Sequence, residues 1–134
     1  MESAEFWTIR GNDSFDQEKF KDSLIAYKLA LKIDPRNKHA MVGRGASLGA
    51  LGKHEEALNA FESALKIDPN YDTALRNIGL SLGQLERYRE AIAVLNRALD
   101  LNPKDSRARY YKGIIYARMG NNQKAVYLLT DHLC

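Results

Sequence analysis

The sequence predicts an all-α fold built from stacked pairs of helices, and three observations carry that expectation. The stretch ALKIDPRNKHA at 30–40 returns as ALKIDPNYDTA at 64–74 and as ALDLNPKDSRA at 98–108, each copy starting 34 residues after the last. Whole columns fall into the same register: Gly11, Gly45, Gly79 and Gly113; Ser23, Ala57, Ala91 and Ala125; Tyr27, Phe61, Leu95 and Leu129; Leu31, Leu65, Leu99 and Leu133. Within one period the apolar residues follow helical spacing, and nothing alternates with period two for long enough to make a strand.

Each period divides into two helices. The first, represented by 38–51, is rich in Gly and Ala. Asn37 and Asp105 stand where an N-cap side chain accepts from free amide groups. Gly52 and Gly120 stand where a left-handed C-cap ends such a helix. The second helix is represented by HEEALNAFESALKI at 54–67, in which Ala57, Leu58, Phe61, Ala64, Leu65 and Ile67 form one apolar stripe with charges between. Pro35, Pro69 and Pro103 follow each second helix, because proline cannot continue a helix and restricts the residue before it.

A glycine inside a helix costs about 1 kcal/mol relative to alanine. Glycines recurring at one phase therefore imply a neighbour too close for a side chain. The expected neighbour is the same unit's second helix, approaching through the small column at Ser23, Ala57, Ala91 and Ala125. The bulky column of Tyr27, Phe61, Leu95 and Leu129 is expected to fill the space between successive units. A lone helix pair cannot bury both of its faces, so the units must stack. The expectation is one domain over 1–134 with units at 4–37, 38–71, 72–105 and 106–134, the last incomplete.

Composition narrows the function. At 134 residues, 45% hydrophobic and 28% charged, the chain has the make-up of a globular domain and not of a disordered one. No apolar run approaches the roughly 18 residues that a membrane span needs. The start, MESAEFW, lacks a basic region followed by an apolar block. The single cysteine, Cys134, makes no internal disulfide, and a cytoplasmic setting fits. The net charge is +3, yet residues 106–134 alone carry five Lys or Arg against one Asp. The excess positive charge thus sits in the last unit and points to an anionic contact there.

No constellation for chemistry is present. His39, His54 and His132 lie in different helices, and the sequence has no Cys-x-x-Cys, His-Glu-x-x-His or Gly-rich phosphate loop. The pair Glu55 and Glu56 reads as a solvated helix face. The expectation is a non-catalytic chain with no cofactor and no metal.

These columns resemble the tetratricopeptide repeat, whose pattern runs aromatic, Leu-Gly, Tyr, Ala, Phe and Pro over one period. In the second unit they read Met41, Arg44-Gly45, Leu48, Ala57, Phe61 and Pro69; in the third, Leu75, Ile78-Gly79, Leu82, Ala91, Leu95 and Pro103. The first has Trp7, Arg10-Gly11, Ser14, Ser23, Tyr27 and Pro35, and the fourth Arg109, Lys112-Gly113, Tyr116, Ala125 and Leu129. Arg10, Arg44 and Lys112 depart from the leucine column, where their aliphatic stems can still cover apolar surface. The resemblance implies a right-handed superhelical solenoid of antiparallel helix pairs that acts as a scaffold for protein–protein contacts. The first helices would line a concave groove for a peptide or partner segment.

Carried onto this sequence, the groove columns change character from faintly acidic, through small and apolar, to basic and aromatic. The candidate peptide-binding residues are Asn12, His39, Arg76, Asn77, Arg107, Tyr110, Tyr111 and Arg118. Arg76, Arg107 and Arg118 would offer forked donors to the carboxylates of an acidic segment. Asn77 would pair with ligand backbone, and Tyr110 and Tyr111 would give rigid contact area. Tyr116 and Tyr127 are expected to pack in the core. One co-chaperone-like subfamily clamps acidic C-termini of heat-shock chaperones. Asn77 and, loosely, Arg107 occupy clamp columns, but Val42, Ala46 and Tyr111 stand where other types are wanted, so a true clamp is not expected.

The alternative is self-association. The run at 125–129 is wholly apolar, and Val126, Tyr127, Leu128, Leu129 and Leu133 would pair two copies as a homodimer through an uncovered last helix. Binding of nucleic acid is not expected, because no Lys/Arg run is present.

Overall fold

The computed structural model describes residues 2–130, so His132, Leu133 and Cys134 lie outside the described residues. Among the described residues there are eight α-helices and no strand: α1 (Ala4–Asp16), α2 (Phe20–Ile33), α3 (Lys38–Ala50), α4 (His54–Ile67), α5 (Asp72–Gln84), α6 (Tyr88–Leu101), α7 (Ser106–Arg118) and α8 (Asn122–Thr130). Their starts and stops follow from local chemistry. Ser3 Oγ accepts from the Phe6 amide, Asn37 Oδ1 from Ala40, and Asp105 Oδ1 from Arg107 and Ala108, so α1, α3 and α7 are side-chain capped. Tyr71 opens α5 with no such cap.

After α2, α4 and α6 the chain leaves the helix at Asp34, Asp68 and Asn102. Each of these side chains accepts from the amide two residues on, in Arg36, Asn70 and Lys104. That is an Asx turn wrapped around the proline, and it points the chain into the next helix. The turns inside the pairs need a left-handed residue. Gly52 and Gly120 supply it at φ +81°, as expected, and Glu18 and Glu86 fill the same place in the other two at φ 61° and 62°. A β-carbon at that conformation carries strain that glycine avoids.

Each odd helix packs against the even one that follows it, and each even helix against the next odd one. The glycine column meets the second helix of its own pair, as expected, but through the bulky column and not the small one. A β-carbon on Gly11 would lie 2.5 Å from the Tyr27 ring, on Gly45 2.5 Å from Phe61, on Gly79 2.5 Å from Leu95 and on Gly113 2.8 Å from Leu129. The bulky column therefore sits inside each pair, seated in the notch its own glycine leaves, and does not serve only as filler between units. The small column supplies a contact to the next unit: Ser23 is fully buried, and its Oγ lies 2.6 Å from Ser47 Oγ. Tyr27 does both jobs. Its ring tip reaches α3 and leaves no room for a side chain at Gly43, while its hydroxyl donates to Asn12 Oδ1 at 2.6 Å.

The core runs through the middle units, with Leu75 and Leu95 wholly enclosed between Phe61, Ile78 and Leu82. Burying such a leucine contributes about 1.5–3 kcal/mol. In the leucine column Ile78 is buried, and Arg44 and Lys112 are half-buried, as their stems allow. Burial, helped by Arg109 and Lys124, lowers the Lys112 pKa. Odd helices also touch one another, α1 with α3, α3 with α5 and α5 with α7, whereas no even helix touches another even helix among the described residues. The stack thus closes on its odd side and opens on its even side, which makes the odd helices the inner wall of an all-α solenoid.

Polar ties cross the fold at recurring places. Lys38 Nζ reaches Asp68 at 2.7 Å, and that hydrogen bond raises the lysine pKa and lowers the aspartate pKa. Both side chains are about a third exposed, so the pair contributes little to stability.

Two expected outcomes follow from the packing. Gly45→Ala should destabilise the chain by about 1–3 kcal/mol in urea denaturation, because the methyl meets the Phe61 ring. Gly49→Ala, whose β-carbon would lie 3.9 Å from Ala57, should stabilise it by up to about 1 kcal/mol. Equal effects at the two sites would contradict the notch. The second outcome concerns pH. Burial, with Asp16 adding to it, pushes the Tyr27 phenol up to about 12 from its ordinary 10.0. Its folded pKa is raised, so its contribution is intact below pH 10 and is lost as pH climbs through about 12. Tyr27→Phe should cost about 1 kcal/mol near neutrality for the lost bond to Asn12. It should also fall less steeply than the parent between those pH values; parallel curves would contradict this.

Candidate functional site

The inner wall carries a cleft of about 390 Å³ between α3, α5 and α7. Its bed is Gly45, Ala46, Gly49 and Ala50 of α3, with the Phe15 and Phe61 rings beside them. Small residues are what let the wall sink here. Opposite stand Arg76, Asn77, Leu80 and Gln84 of α5 and Arg107 and Tyr111 of α7. A second hollow, about 250 Å³, continues between α5 and α7 and shares Leu80, Gln84 and Tyr111 with the first. Tyr110, Ile114 and Arg118 close its far end.

Six of the eight candidate residues are therefore brought together: Arg76, Asn77 and Arg107 in the first hollow, Tyr110 and Arg118 in the second, and Tyr111 in both. Tyr110 is 54% exposed, and its ring centroid lies 6.2 Å from that of Tyr111. Tyr111 is half-buried, packing on the α5–α6 core while its edge lines the cleft. No carboxylate lines either hollow among the described residues.

Asn12 and His39 are not part of that assembly. They line a separate open hollow with Glu5, Thr8, Ile9 and Lys38. Asn12 has its carbonyl oxygen occupied by Tyr27. His39 Nδ1 lies 3.1 Å from the Tyr71 hydroxyl, with the rings edge-on.

Arg76 also differs from a fully free fork. Its NH1 donates to Asp105 Oδ2 at 3.0 Å, the pair is deep, with side chains 17% and 4% exposed, and its Nε is buried without a partner. In the sequence Asp105 reads as a helix cap alone. The signal that was available is the spacing of 29 residues, repeated by Asn37 Nδ2, which donates to Thr8 Oγ1 at 3.2 Å in the first junction. Gly45, Gly49, Phe15 and Phe61 also line the cleft, although Gly45 and Phe61 stand in the core columns of the sequence.

At the last helix, Tyr127 is a correction: it is 66% exposed and not packed in the core. Its column is exposed throughout, with Ile25 at 59%, because it faces away from the stack. Val126 is 59% exposed, whereas Leu58 in the same column is 4% exposed beneath the next helix pair. Leu128 and Leu129 are half-buried within their own pair, and Leu133 lies outside the described residues. No helix among the described residues is long and apolar enough to cross a membrane, and none of them form a metal-ligating cluster of three.

Two sequence models described as tetratricopeptide repeat match the chain, one over residues 39–104 and the other over 76–133. No curated protein matches the sequence. Among solved structures the chain is similar to the first TPR of Spaghetti (RPAP3) bound to the HSP90 peptide SRMEEVD. That likeness has 23% identity and TM-score 0.83, over 88% of this chain and 94% of that one. It is similar to the first TPR domain of human RPAP3, at 22% identity and TM-score 0.84, over 91% of this chain and 96% of that one. It is also similar to a tetratricopeptide repeat protein from Parabacteroides merdae, at 28% identity and TM-score 0.83, over 97% of this chain and 52% of that one.

Proposed function

Since the chain belongs to the tetratricopeptide repeat family, we propose that it is a non-catalytic protein-interaction module whose inner cleft binds an acidic peptide or partner segment. In this reading residues 4–37, 38–71, 72–105 and 106–134 are the successive units of one domain working in a cytoplasmic setting. The observation that carries it is the cleft itself. The cleft and the hollow that continues it gather Arg76, Asn77, Arg107, Tyr110, Tyr111 and Arg118, and no acid among their lining opposes an incoming carboxylate. Arginine forks and exposed tyrosines recognise an anionic chain by charge, by hydrogen bonds and by flat contact area. The structurally similar RPAP3 domain holds the peptide SRMEEVD, three of whose last four residues are acidic. At 23% identity that likeness speaks for the fold, and the acidic preference rests on the arginines.

A second reading keeps the last helix as an association surface. Val126 supports it, being open where its counterpart Leu58 is covered. Tyr127 lies beside it on the outer face.

Fluorescence anisotropy with labelled SRMEEVD, and with a neutral analogue in which Gln and Asn replace the acids and the C-terminus is amidated, tests the first reading. Arg107→Glu with Arg118→Glu should weaken the acidic peptide by at least about 10-fold and leave the neutral one unchanged. The acidic binding should also weaken with added salt. Equal affinity of parent and variant for the acidic peptide would overturn the reading. Sedimentation velocity tests the second. A concentration-dependent dimer that Val126→Glu abolishes would support it, and a monomer at every concentration would remove it.

A further inference from the structure

Asp105 does two things with one carboxylate. Oδ1 accepts from the amides of Arg107 and Ala108 and so starts α7, while Oδ2 holds NH1 of Arg76. Arg76 lines the cleft, and Asp105 is absent from the lining. The cleft therefore contains an arginine whose charge is already answered from behind. A carboxylate arriving in the cleft meets Arg107 as an open cation, whereas Arg76 can serve it only by sharing or leaving Asp105.

We infer that Asp105 is a positioning residue that restrains Arg76 and so sets how strongly the cleft takes an anion. It is a competitor for the ligand's carboxylate, built into the junction between α5 and α7. This rests on the acidic-ligand reading above and adds to it the residue that limits affinity. The first junction shows that the charge is not needed to build the joint. There Asn37 occupies the position of Asp105, caps α3 through Oδ1 and donates Nδ2 to Thr8, with no ion pair. An asparagine at 105 would keep the cap through its carbonyl oxygen. Its amide would face a guanidinium with a donor, so Arg76 would have reason to turn into the cleft. The one hydrogen bond of the Arg76 fork goes to Asp105 and its Nε has no partner, so removing that acceptor leaves the guanidinium with no polar partner where it sits.

The experiment compares the intact chain with Asp105→Asn, Arg76→Gln and the double variant, using the acidic peptide SRMEEVD and its neutral analogue. Asp105→Asn should tighten the acidic peptide roughly 3- to 10-fold and leave the neutral one unchanged. The gain should shrink as salt is added. In the double variant the gain should vanish, the acidic peptide binding no more tightly than it binds Arg76→Gln alone. A joint merely loosened by the substitution would shift both peptides alike, which would overturn the inference. So would unchanged or weaker acidic binding, or a gain that survives removal of Arg76. Should Asp105→Asn lose its cooperative thermal transition, Asp105→Ser tests the same point, since Ser3 caps α1 at the equivalent position. Binding by the parent chain without tightening in either variant defeats this inference alone. Absence of acidic binding in parent and variants defeats the acidic reading and this inference together.

Discussion

The close seating of a large side chain against a glycine on the partner helix is the contact on which the rest of the molecule depends. Tyr27 on Gly11, Phe61 on Gly45, Leu95 on Gly79 and Leu129 on Gly113 set the distance between the two helices of every pair. Glycine weakens each odd helix locally. The compensation is an interlock that a β-carbon would prevent. As the seated residue shrinks along the array, from Tyr27 through Phe61 to Leu95, the residue at the equivalent place on the next odd helix grows, from Gly43 through Asn77 to Tyr111. Only at Gly43 does the tyrosine ring need that space. Further along, the same place is released for side chains that line the cleft.

Curvature follows from the same arrangement. Odd helices, thinned by Gly and Ala, approach one another, and even helices do not. A concave inner face then results, and Gly45, Ala46, Gly49 and Ala50 of α3 form the bed of its cleft. The charge that gives this face a preference comes from the last unit, whose excess of Lys and Arg puts Arg107 and Arg118 on the far wall. Shape and charge thus have separate origins in the sequence, and each can change without the other.

The junctions between units use one position with different chemistry. Ser3, Asn37, Tyr71 and Asp105 all stand at the start of an odd helix. Asn37 ties the start of α3 to α1 by a neutral bond to Thr8, Tyr71 ties the start of α5 to α3 by an exposed contact with His39, and Asp105 ties the start of α7 to α5 by a deep ion pair with Arg76. Of these three contacts the one nearest the arginine-bearing end is an ion pair, and so it is the one whose strength an anionic ligand in the cleft can influence.

Much of this was legible in the residues themselves. The period, the helix limits, the caps at Asn37 and Asp105 and the turn glycines Gly52 and Gly120 are local matters, fixed by hydrogen bonds and backbone preferences within a few residues. The odd-helix columns likewise placed Asn77, Arg107, Tyr110, Tyr111 and Arg118 on one wall, because helical spacing defines a face. Other features belong to pairs of residues distant in sequence, and only the assembled chain decided them. Which column fills the glycine notch depends on how two helices rotate about each other. Asn12 was diverted to Tyr27 and His39 to Tyr71 by neighbours 15 and 32 residues away. Arg76 was claimed by Asp105 from the start of the next odd helix. Tyr127 faces outward because a helix with apolar residues on consecutive positions cannot bury them all on one side. Glu18 and Glu86 take the left-handed turn that glycine takes elsewhere, since the stacking on both sides fixes the chain's direction there whatever residue fills the corner.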